Sequence, residues 1–70
     1  MERDYIVCRV DRKPDAFFKG MAEWGHPETT TEREHASRLT LDEAREVAFI
    51  LRIDRGGVWG IRRADEKTTA

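Results

Sequence analysis

The stretch Thr40-Leu41-Asp42-Glu43-Ala44-Arg45-Glu46-Val47-Ala48-Phe49-Ile50-Leu51-Arg52 decides the fold class. It opens in the form of a capping box. The Thr40 hydroxyl can accept from the Glu43 amide, and the Glu43 carboxylate can reach back to the Thr40 amide. Asp42 and Glu43 also put negative charge at the positive end of the helix dipole. Leu41, Ala44, Val47, Ala48 and Leu51 recur at spacings of three and four, which draws one apolar stripe along a helix. Asp42, Glu43, Arg45, Glu46 and Arg52 fill most of the remaining surface. Phe49 and Ile53 fall outside the stripe, and two readings accommodate them. Either the helix runs on to Asp54 with a second apolar face, or it stops early and Phe49–Ile53 is a strand. In the second case Asp54-Arg55-Gly56-Gly57 turns it into Val58–Arg63. Nothing before Asp54 would stop a helix, which favours the longer one.

Upstream, Tyr5 to Val10 is rich in β-formers, with Ile6, Cys8 and Val10 on one side and Tyr5, Val7 and Arg9 on the other. Asp11-Arg12-Lys13-Pro14-Asp15 reads as a turn. Ala16 to Met21 then returns, so residues 5–21 predict a β-hairpin. Trp24-Gly25-His26-Pro27 predicts a loop, because Pro27 biases His26 away from helix. Thr29 to Leu39 reads as an extended edge, with a short helix over Glu32–Arg38 as the alternative. Downstream, Gly56-Gly57 supplies a turn or helix C-cap, and Val58–Arg63 is the closing strand. The expectation is an α+β domain over residues 1–63: a small antiparallel β-sheet with one α-helix packed on one face, in the order β-β-extended-α-β. Residues 64–70 read as a frayed polar tail. Phe17, Phe18, Trp24 and Trp59 are expected to supply most of the large core area.

With 70 residues, the chain buries a modest fraction of its surface, so a partner or second copy would help it. One cysteine excludes an intrachain disulfide and suits a reducing compartment. Met1-Glu2-Arg3-Asp4 leads into no signal-peptide apolar run, and no stretch reaches the ~20 apolar residues of a membrane helix. The expected location is cytoplasmic, or the host cytoplasm for a phage-encoded chain, with no membrane partner. The net charge is −1, but its distribution is uneven: residues 21–46 carry seven acidic and three basic side chains. Ordinary solvated surface accounts for that run, and an acidic face meeting a basic partner is the sharper reading.

Chemistry is sparse. Cys8 falls within the most apolar strand, where a thiol is an inert core group. His26 and His35 with Glu28, Glu32 and Glu34 match no zinc spacing, so neither a metal nor a catalytic site is expected. Gly56-Gly57-Val58-Trp59-Gly60 lacks the lysine and helix entry of a phosphate loop. No cofactor follows from these residues. Arg9, Arg62 and Arg63 could share a sheet face with Tyr5 or Trp59 and bind unpaired bases, although an isoelectric point near 6.1 is low for that role. The favoured reading is a protein interface, with Phe49 and Trp24 as anchors and Glu28, Glu32, Glu34, Asp42 and Glu46 as acidic contacts. A homodimer through the Phe49 patch is a further option, and Trp24 can equally serve as core cover.

The layout resembles short phage and prophage accessory proteins. The opening strand Tyr5–Val10, the Phe18-Lys19-Gly20 strand, a following tryptophan, the Ala36-to-Ala44 helix entry and the closing Gly57-Val58-Trp59 carry that likeness over residues 5–63. Some anti-CRISPR inhibitors are similar in size and in their sheet-plus-helix build. The resemblance implies a non-enzymatic protein that binds a CRISPR effector, a protein or ribonucleoprotein complex, and blocks its DNA site or nuclease. It assigns no residue, and a charge of −1 departs from the strongly acidic DNA mimics.

Overall fold

A computed structural model describes residues 2–13 and 15–64. The strands are β1 (Tyr5–Arg9), β2 (Phe17–Met21), β3 (Pro27–Thr30) and β4 (Trp59–Arg63), with a 3₁₀ turn at Arg33–His35 and one α-helix, α1 (Leu41–Arg55). The sheet runs β3-β2-β1-β4 with every neighbouring pair antiparallel. This is the α+β arrangement expected, one helix on a small antiparallel sheet.

The helix begins where the sequence says it should. The Thr40 hydroxyl accepts from the Glu43 amide at 3.2 Å and the Glu43 carboxylate accepts from the Thr40 amide at 2.9 Å. Those bonds satisfy amides that have no partner within the helix. The Thr40 amide holds the Glu43 carboxyl below its ordinary range, and Arg3, at 3.0 Å, adds to the effect. The helix continues through Phe49–Ile53, so those residues are not a strand. It ends at Gly56, whose φ of 71° suits a residue without a Cβ.

Ala44 and Leu51 are fully buried against Val7, Phe18 and Leu39, with Tyr5, Val47, Ala48, Trp59 and Ile61 packed around them. Leu41, expected in the stripe, is exposed. As the first helical residue it lies on the flank of the helix, beyond the cover of the sheet. A second, smaller cluster forms on the far face of the sheet, where Ile6, Cys8 and Phe17 are buried with Ala36 and Ala64 packed on them. Strand alternation explains the division: Val7 points to the helix, Ile6 and Cys8 away from it.

β2 carries a bulge between Phe18 and Gly20, which leaves Lys19 as the extra residue. The extra residue resets the alternation, so Phe18 and Met21, three apart, both line the helix side. Beyond the Cys8–Phe17 pair, β2 leaves β1, and the segment before the helix takes its place. Tyr5 and Leu39 exchange amide-to-carbonyl bonds of 3.0 and 2.7 Å, and the Ser37 amide donates to the Phe18 carbonyl at 2.9 Å. Backbone groups that the departing strand would strand unpaired are thereby satisfied.

The segment read as one extended edge from Thr29 to Leu39 is therefore three pieces: a strand ending at Thr30, a 3₁₀ turn and the Leu39 bridge. The turn falls within the span of the alternative short helix, but covers only Arg33–His35. Ala64 is held by its amide donating to the Asp4 carbonyl at 2.6 Å, so the tail as read does not begin there. Residues 65–70 and Pro14 lie outside the described residues. No helix among the described residues is long and apolar enough to cross a membrane.

Thr40→Ala is expected to lower stability by about 1 kcal/mol, and Leu51→Ala by roughly 2–5 kcal/mol, both measurable by urea unfolding. Because the folded-state pKa of Glu43 is depressed, its stabilisation is present above the ordinary glutamate range and is lost as pH falls through the lowered value. An acid titration of stability should show that loss in the parent chain and a smaller one in Glu43→Gln.

Candidate protein-binding surface

The outer surface of α1 and the turn between β2 and β3 hold the largest exposed apolar side chains. Phe49 and Ile53 are 63% and 70% exposed. One turn apart, they lie on the side of the helix opposite Ala44 and Leu51. Asp42, Arg45 and Glu46, all exposed, border them. Toward β2 the surface falls into a groove of about 440 Å³ lined by Phe18, Met21, Val47 and Ile50, with Glu43 and Glu46 on its wall.

Trp24 is 85% exposed, so it is not the core cover that one sequence reading allowed. It rides at the tip of a tight reversal, closed by the Ala22 amide on the His26 carbonyl at 2.7 Å. A side chain at such a tip has no packed layer above it. His26 Nδ1 lies 3.4 Å from Asp54, and Arg55 donates to the Pro27 carbonyl at 3.0 Å. These contacts hold the turn against the last helical turn, beside the end of α1 that carries Ile53. The structure thus brings together Asp42, Glu46, Phe49 and, at the far end of the helix, the Trp24 turn.

The other acids of the expected surface are elsewhere. Glu34 lines a hollow on the far face with Ile6, Arg33, Ala36 and Arg38. Glu32 pairs with His35 at 2.9 Å in the same turn. Glu28, between Pro27 and Thr29 in β3, alternates away from the buried Pro27. These three do not join the helix patch: alternation in β3 turns Glu28 away from it, and the 3₁₀ turn places Glu32 and Glu34 at the far face. Glu32, Glu34 and His35 do place ligand-type atoms within 4.8 Å of one another, all three fully at the surface. His26 is bound up with Asp54 and does not join them. Cys8 is buried in β1, and both histidines have acidic partners instead.

The three arginines of the nucleic-acid reading divide between the faces. Pairing aligns Arg9 with Trp59 and Arg63 with Tyr5 on the helix side, and Arg62 with Ile6 on the far side. Arg62 there borders a hollow of about 300 Å³ with Lys13, Arg33 and Phe17. Arg9 is engaged, 2.7 Å from Asp11 and 5.9 Å from the centre of the Trp59 ring. Its hydrogen bond to Asp11 raises the Arg9 pKa and lowers that of Asp11. Trp59 donates to the Gly56 carbonyl at 2.9 Å and packs on the core with Tyr5. Neither aromatic stands free beside the arginines as a base-stacking platform.

The groove residues Met21 and Ile50 were not singled out from sequence. A bulge in β2 brings Met21 round, and a bulge has no clear sequence mark here. Comparisons with protein-family models, curated proteins and solved structures gave no match to this chain.

Trp24→Ala and Phe49→Ala remove exposed side chains, so each is expected to change unfolding stability by less than about 0.5 kcal/mol. A loss of several kcal/mol in either would place that residue in the core.

Proposed function

We propose that this chain is a small non-enzymatic binding protein of phage type that inhibits a macromolecular partner by occlusion. Its most concrete form is an anti-CRISPR protein seated on a CRISPR effector complex. The observation that carries the reading is the exposure of Phe49 and Ile53 one turn apart on α1, with Asp42, Arg45 and Glu46 beside them, and of Trp24 on the turn held against the end of that helix. Aromatic anchors inside a polar border are the usual composition of a binding patch. Trp24, 85% exposed, is a tryptophan side chain open to a partner. The anti-CRISPR form rests on the resemblance in layout and size, and Asp42 and Glu46 beside Phe49 suit a partner with basic residues around an apolar pocket.

The test is capture of purified CRISPR effector complexes by the tagged protein after nuclease treatment, with target-DNA cleavage measured in parallel. Stoichiometric binding that blocks cleavage is expected. Trp24→Ala and Phe49→Ala should each weaken it by about tenfold or more while leaving the fold intact. Recovery of nucleic acid alone, from untreated samples and lost steeply with salt, would instead support a nucleic-acid accessory role.

A further inference from the structure

The segment before α1 closes the inner edge of β2 only as far as Lys19. The Ser37 amide donates to the Phe18 carbonyl at 2.9 Å, and the Ser37 hydroxyl donates to the Lys19 carbonyl. Beyond them β2 runs on to Met21, with β3 on its outer side and the groove beside α1 on its inner side.

Hydrogen-bond parity shows what Met21 presents to that groove. The Ala22 amide donates to the His26 carbonyl at 2.7 Å, so Ala22 and His26 form a bonded pair. Bonded and non-bonded pairs alternate in an antiparallel ladder. Met21–Pro27 is therefore a non-bonded pair, which suits Pro27, a residue with no amide to give. The Met21 amide and carbonyl turn away from β3 and toward the groove. Among the described residues no group bonds to either.

The side chains around this open pair are apolar and acidic. Phe18, Met21, Val47 and Ile50 give the groove its apolar lining. On the helix wall Glu43 is already engaged by the Thr40 amide and by Arg3. Glu46, one turn further on and exposed, forms no ion pair among the described residues. Arg38 borders the groove too, but it equally borders the far-face hollow that holds Glu34.

We infer that this groove takes an extended segment of the partner, which pairs with the backbone of Met21. That segment carries an aliphatic side chain into the groove and, two residues away, a lysine or arginine that meets Glu46. Backbone chemistry selects the extended form. A strand has an amide and a carbonyl to exchange at an open edge, whereas a helix spends both within itself. In an added strand, residues two apart point to the same side. The aliphatic and the basic residue therefore both face α1, one over Val47 and Ile50 and the other at Glu46. The inference rests on the reading of this chain as a binding protein and does not require the partner to be a CRISPR effector.

The probe is a phage-displayed library of random octapeptides selected on the immobilised protein. Enriched peptides are then synthesised and titrated into the labelled chain by NMR. The enriched set is expected to place an aliphatic residue two positions from a lysine or arginine. Saturating peptide should slow exchange of the Met21 amide by about tenfold or more and shift the Val47 and Ile50 signals. Glu46→Lys changes an exposed side chain and should weaken the peptides by about tenfold. Three results would each overturn the inference: no enriched peptide, peptides that bind while the Met21 amide exchanges freely, or affinity indifferent to Glu46→Lys. Capture of effector complexes is read separately. A failed selection thus removes the groove's occupant alone, and a failed capture removes the CRISPR reading alone.

Discussion

The structure depends on β1 being hydrogen-bonded along both of its sides. On one side β4 runs its full length. On the other, β2 serves one end and Leu39 the other, because no single strand covers both. Remove the Leu39 bridge, and the Tyr5 end loses its second neighbour while the helix loses the anchor that fixes where its first turn starts. Thr40 follows Leu39 directly, so the capping box is set in space by a bond to the central strand. One short stretch of backbone thus joins sheet and helix, and buried Val7 sits at the crossing of the two.

That arrangement explains a small protein with core on both sides of its sheet. The helix covers one face with Ala44 and Leu51 as its deepest contacts. Among the described residues it has no counterpart on the other face, where Ala36 and Ala64 pack on Ile6, Cys8 and Phe17. Polar side chains border the far-side hollows, and Phe17 is the one buried aromatic among the described residues that line them. The most exposed of the large apolar groups, Trp24, Ile53 and Phe49, lie instead on the outer surface of α1 and at the β2–β3 tip. The proposed interface therefore occupies the better-supported side of the molecule, where the surface is backed by the main core.

The elements that the sequence made legible are those governed by local chemistry. Thr40 and Glu43 announce the helix start through their own hydrogen bonds, and alternation in Tyr5–Arg9 sorts its two faces correctly. Phe49 was legible as an outlier to the stripe, because helical geometry alone places it outward. What stayed hidden depends on contacts between distant residues. The extra residue at Lys19 changes which side chains of β2 face the helix. The tie from His26 to Asp54 fixes where the Trp24 turn lies. Composition left Trp24 open as core cover or as an exposed anchor, and it put the acids of residues 28–46 in one group. Alternation in β3 separates Glu28, and a turn across the sheet separates Glu32 and Glu34, from Asp42 and Glu46, and spacing along the sequence cannot show the turn.

The pairing of the first strand with the last has a consequence for synthesis. Tyr5 aligns with Arg63 and Arg9 with Trp59, so the central strand meets one neighbour only after nearly the whole described chain has been made. Contacts so far apart in sequence close slowly. While a ribosome still holds residues 59–63, the emerging chain can form a hairpin and a capped helix, but β1 keeps one bare edge and Trp59 is missing from the core. The sheet is then completed only once residues 59–63 are free to pair with β1, and until that point the nascent chain is exposed to wrong partners.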